Sequence, residues 1–127
     1  MRKILLTAGL FIFCVVNAAW ATPPSSIDLS YDPENKNLHI EIAHASHDPR
    51  AHHIRKVEVT RNDDKPIDLY FATQTTPAML TTDVPLEAKE GDTIRVVAIC
   101  SEAGRKEETL VIPKEEKTSP EEKTPLK

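Results

Sequence analysis

From Ile27 to Ile112 the apolar residues recur at every second position in short runs, and no stretch repeats them every three to four residues. A side chain on a strand flips face at each step, so this period selects half-buried β-strands and excludes an amphipathic helix. Ile27, Leu29 and Tyr31 alternate with polar residues, and Asp32-Pro33-Glu34-Asn35 is a turn. Leu38, Ile40 and Ile42 alternate with His39 and Glu41. Val57 and Val59 flank Glu58, and Arg61-Asn62-Asp63-Asp64 ends that strand. Leu69 and Phe71 carry a fourth strand, and the Thr- and Pro-rich stretch from Gln74 to Pro85 has room for one short edge strand. Glu90-Gly91-Asp92 turns into a dense β-branched strand, Thr93 to Cys100. Ala103-Gly104-Arg105 turns again, and Thr109 to Ile112 is the last strand. About seven short strands separated by turns predict an all-β domain, an immunoglobulin-like antiparallel β-sandwich spanning residues 27–112.

The flanks of this domain are of another kind. Met1-Arg2-Lys3 is a short positive start, Ile4 to Val16 an apolar run, and Ala19-Trp20-Ala21 a small-residue cleavage pattern. The apolar run is too short to cross a bilayer comfortably, so residues 1–21 read as a secretory signal peptide cut after Ala21. The expected location is periplasmic or secreted. Residues 22–26 form a Pro/Ser leader. Residues 113–127 hold two EEK repeats, three prolines and one apolar side chain, Leu126. Such a tail buries too little surface to offset its ordering entropy, and disorder is expected there.

Cleavage removes Arg2 and Lys3 but no acid, taking the formal net charge from −4 to −6. That charge argues against nucleic acid and against anionic membranes as partners. Cleavage also removes Cys14, leaving Cys100 as the sole cysteine and ruling out an internal disulfide. A lone cysteine in an oxidising compartment is buried, paired between chains, or bound to something else.

All five histidines fall within residues 39–53, and the segment His44 to His53 reads HASHDPRAHH. This segment joins two predicted strands and therefore lies at one end of the sandwich. His44 continues the inward series Leu38, Ile40, Ile42, and Cys100 continues Ile94, Val96, Ala98. His39 has the opposite phase and is expected to face solvent. Imidazole and thiolate together suit soft and borderline metal ions. The candidate metal ligands are His44, His52 and Cys100, with His47 and His53 as further donors. The same residues are also compatible with a solvated loop above a small buried cysteine. No HExxH, nucleophile elbow or Gly-rich phosphate loop is present.

Two segments resemble a known family. His44 to Val59, HASHDPRAHHIRKVEV, resembles the part of the superoxide reductases (desulfoferrodoxin and neelaredoxin) in which His-Pro is followed by His-aromatic-Ile and a strand. Gly91 to Gly104, GDTIRVVAICSEAG, is similar to that family's final strand, where a cysteine precedes a histidine and a glycine. The resemblance implies an immunoglobulin-like sandwich holding one non-haem iron through four histidines and a cysteine. Superoxide is then the small-molecule partner, reduced to peroxide at the open position. By position, His44, His52 and Cys100 match three of those ligands. Ala103 stands where the histidine after the cysteine is expected, and Thr22 to Leu38 has no counterpart of the upstream ligand segment. AHHIRKVEV also looks like the sandwich subunit of the thiosulfate-oxidising sulfur-carrier complex, which binds no iron and offers a surface to a protein partner. Three expectations follow: an exported iron protein with superoxide-reductase-like activity, a non-catalytic module of the same fold, or a periplasmic metal carrier for copper or zinc.

Overall fold

The computed structural model describes residues 22–114. The expected signal peptide, residues 1–21, and all but the first two residues of the charged tail lie outside the described residues. Seven strands are present: β1 (Ser26–Asp32), β2 (Asn37–Ala43), β3 (Ile54–Arg61), β4 (Ile67–Tyr70), β5 (Met79–Pro85), β6 (Thr93–Cys100) and β7 (Arg105–Val111). They form two antiparallel sheets, ordered β1-β2-β5 and β4-β3-β6-β7. The all-β sandwich expected from period-two alternation is the observed architecture.

One core joins the two sheets. Ile27, Leu38, Ile40, Ile42, Leu80 and Val84 come from the first, and Val57, Val59, Ile94, Val96 and Ala98 from the second. These are the alternating positions of each strand, and the polar residues between them face water. On the outer face of the second sheet, Arg95 grips Glu107 with two bonds of 2.6 and 2.8 Å, and Lys56 lies 2.7 Å from Glu58. Tyr31 spans a gap at the far end, donating to the Leu86 carbonyl (2.8 Å) while accepting from the Ala88 N–H (2.9 Å).

Three elements differ from expectation. The Thr-rich stretch yields a seven-residue strand, β5, because Leu80 and Val84 give it an inward face against β2. The last strand begins at Arg105, not Thr109, because its first residues are polar edge positions paired to β6. β1 takes in Ser26 of the leader, and Pro24 is already buried.

A bulge in β3 has the largest consequence for the site. Ile54 pairs with Cys100, but Lys56 pairs with Ile99, so Arg55 is the extra residue. The bulge lets Ile54 and Val57 both face the core although they are three apart in sequence. Bulges re-aim the chain at sheet ends, and this one carries His52 and His53 to the end of β6.

The N-terminus of β1, the C-termini of β2 and β6, and the start of β3 all meet at one pole. His39 lies on the outer face of the first sheet, half-exposed, with Nδ1 2.7 Å from Asp83 and Nε2 3.3 Å from Glu41. The hydrogen bond to Asp83, then that to Glu41, raises the His39 pKa above its ordinary value. His39 and then Asn37 in turn lower that of Asp83. The raised imidazole contributes stability that is complete below about pH 6.5 and is lost as pH climbs through the folded value. The lowered carboxylate contributes above about pH 4 and loses it on acidification. Replacing His39 by Gln is therefore expected to lower the melting temperature most near pH 5 and least near pH 8, as read by thermal denaturation across that range.

Candidate metal centre

The chain reaches this pole at four places. β2 ends at Ala43 and delivers His44, whose backbone N–H donates to the Ala78 carbonyl at 3.0 Å. Ser46 N–H then bonds the Pro77 carbonyl at 2.7 Å, tying the loop to the start of β5. Asp48 organises a tight turn. Its carbonyl accepts from Ala51 and His52 (3.1 and 2.8 Å), and its carboxylate accepts from the Arg50 N–H at 3.1 Å. An Asp side chain favours such turns by bonding the backbone two residues on. The turn aims His52 back across the pole, where the Ser46 hydroxyl donates to its carbonyl. Cys100 ends β6, with its N–H bonded to the Gly104 carbonyl at 3.0 Å.

His44, His52 and Cys100 come together. One ligand atom from each lies within 4.8 Å of the others, so the three could hold a metal ion. His52 Nε2 is 2.9 Å from Cys100 Sγ. The rings of His44 and His52 meet edge to face, 4.7 Å apart at 87°. His44 is 1% exposed and Cys100 4%, whereas His52 is half-buried, so the group sits just beneath the surface.

The two other histidines of the loop take different places. His47 is exposed and outside the cluster. The Asp48 turn directs the chain away at that point. His53 has Nε2 donating to the Phe71 carbonyl at 2.9 Å, and its Nδ1 is buried without a partner among the described residues. Its backbone instead carries the ladder past the strand ends: Ser101 N–H donates to its carbonyl at 2.8 Å, and its own N–H donates to Ser101 Oγ at 3.1 Å. Among the described residues, the ligand set of four imidazoles and one thiolate implied by the resemblance is therefore not assembled.

Gln74 is the residue that sequence reasoning missed. It is 6% exposed, and its amide is fully engaged. Nε2 donates to the carbonyls of His44 (2.9 Å) and Thr76 (3.2 Å), and Oε1 accepts from the Ile54 N–H at 3.1 Å. Three backbone partners thus fix which end of the amide is oxygen. That oxygen also meets His44 Nδ1 at hydrogen-bond distance, so Nδ1 carries a hydrogen and donates it. On the other edge of the ring, Nε2 lies 2.8 Å from the carbonyl oxygen of Thr22, so both ring nitrogens face oxygen acceptors. Metal-bound histidines characteristically have their second nitrogen held by such a partner. In sequence, Gln74 carried no signal beyond being a lone amide in a Thr-rich run.

Fold and site together define an all-β sandwich with a His2Cys cluster under one rim. Comparison with protein-family models, with curated proteins and with solved structures finds no match to this chain.

Gln74→Ala strips the Ile54 N–H and the His44 carbonyl of their partners in a buried place. An unsatisfied buried donor costs about 1–3 kcal/mol. Urea denaturation of the metal-free variant is expected to show a loss in that range.

Proposed function

We propose that this is an exported metal-binding protein that holds one copper or zinc ion between His44, His52 and Cys100. The observation that carries the reading is the convergence of the three donors, with the His44 ring held in place between the Gln74 amide oxygen and the Thr22 carbonyl. One thiolate with two imidazoles is a donor set that suits copper and zinc. The 2.9 Å approach of His52 to Cys100 is that of a hydrogen-bonded pair. Metal bonds of about 2.0 Å to nitrogen and 2.3 Å to sulfur set these two atoms about 3.5 Å apart in a tetrahedral site. Loading then moves them apart by roughly half an ångström and releases the thiol proton to solvent. His52 lies on the loop and is half-buried, so it is the ligand free to make that adjustment.

The superoxide-reductase reading has less support. It requires two more imidazoles around an iron ion. His47 stands in solvent and His53 is committed to Phe71, so the described residues do not fit that ion's ligand set. A binding or carrier role needs only the three donors and asks for no turnover. Burial of the thiol also protects it from oxidants in an oxidising compartment.

Purified without a histidine tag, the protein is expected to take up one equivalent of zinc or copper. With cobalt as a probe, a thiolate-to-metal charge-transfer band is expected. Cys100→Ser should abolish that band and weaken zinc binding by at least about tenfold, on the scale of losing a tuned ligand environment. The exposed His47→Ala should leave both unchanged. Stoichiometric binding that survives loss of Cys100 with no charge-transfer band would contradict the assignment and favour the loop histidines alone. Competition between copper and zinc identifies the preferred ion, copper being favoured unless geometry opposes it.

A further inference from the structure

Three donors leave a zinc ion short of the four or five ligands it takes. A further donor at the pole is main chain: the Thr22 carbonyl oxygen, 2.8 Å from His44 Nε2. Thr22 itself is exposed, so something must hold it there. Two contacts do so. Pro24 is buried, and the next residue, Ser25, donates its N–H to the Ala43 carbonyl at 2.8 Å and its hydroxyl to the same oxygen at 3.1 Å. On the other side Pro23 lies directly over Gly104, in the turn that follows Cys100. A Cβ added to Gly104 would stand 2.7 Å from the Pro23 Cβ and 3.0 Å from its Cα. Gly104 also has φ of +94°, a conformation that side chains disfavour. The glycine therefore both makes the turn and lets the Thr22–Pro24 strap lie flat across the rim.

Thr22 is also the residue at which the sequence pattern places the cut. The carbonyl oxygen and the α-amino nitrogen of a first residue are spaced to close a five-membered ring on one metal ion. From these observations we infer that the Thr22 main chain completes the metal centre, its carbonyl oxygen joined by the α-amino group that cleavage after Ala21 releases. The site is then finished by processing: the precursor has a peptide nitrogen at that point, which is a poor donor, and the exported chain has an amine. Loading forms bonds from the ion to the Cys100 sulfur, to one nitrogen each of His44 and His52, and to Thr22. The protons displaced from sulfur, from the ligating ring nitrogens and from the amine go to solvent, and no electrons are transferred. The inference rests on the metal reading above and adds to it where the fourth and fifth donors come from.

The full chain is produced by export, and its intact mass gives the first residue. Zinc affinity is then compared, by competition with a chromophoric chelator, between this protein and a form with Ser-Gln inserted between Ala21 and Thr22, its first residue also read from its intact mass. The insertion turns the Thr22 amine into an amide and leaves every core residue in place. Binding at least about tenfold weaker in the inserted form, with an unchanged melting temperature without metal, supports the inference; a loss of chelation is of that order. Gly104→Ala, which displaces Pro23, is expected to weaken binding in the same direction. Equal affinity of the processed and inserted forms overturns the inference while leaving the three-donor site standing. A processed chain that begins at a residue other than Thr22 overturns it as well. Failure of the processed protein to bind zinc or copper at all would instead refute the metal reading on which it rests.

Discussion

The amide of Gln74 is the constraint on which the pole of this sandwich depends. Its nitrogen bonds the end of β2 through the His44 carbonyl, and its oxygen bonds the start of β3 through the Ile54 N–H. Those two strands belong to different sheets. One buried side chain thus ties the sheets together where their hydrophobic contact gives out. A buried polar network of this kind specifies a single arrangement only when every member is satisfied. Here the remaining requirement passes to His44, whose two ring nitrogens meet the Gln74 amide oxygen and the Thr22 carbonyl oxygen. Structure and chemistry meet in that one ring: the bond that closes the fold also orients an imidazole of the cluster that could hold a metal ion.

The site is assembled from pieces that each have a local reason. Strand phase turns His44 and Cys100 inward. The Arg55 bulge shifts the chain ahead of β3 by one residue, bringing His52 to the end of β6. The Asp48 turn folds the loop back, and Gly104 clears the space over which the N-terminal strap lies. None of these needs a metal, which suits a site that is shaped before loading. The one adjustment required, a small opening between His52 and Cys100, falls on His52, which is half-buried and carried by the loop ahead of β3.

Much of this was legible in the sequence, because the period of two survives wherever a strand has one wet face. Leu38-Ile40-Ile42 and Ile94-Val96-Ala98 gave strand, face and the inward phase of the residue that follows each. β5 and β7 were less legible, since Thr81, Thr82 and the run Arg105 to Glu108 carry little apolar signal and are set by pairing with a neighbour. The separate fates of His47, His52 and His53 could not be read from spacing. They follow from a bulge and a turn, and a one-residue shift reverses which side chain faces the cluster. Gln74 and Thr22 escaped for a related reason: one acts through a side-chain amide and the other through its backbone, and neither leaves a pattern.

The most direct test of the account is X-ray absorption at the metal edge of the loaded protein. One sulfur at about 2.3 Å and two imidazole nitrogens near 2.0 Å are expected, with lighter oxygen or nitrogen scatterers completing the shell. A shell of nitrogen and oxygen alone, with no sulfur, would show that the ion sits on the exposed loop and that Cys100 is no more than a small residue closing the core.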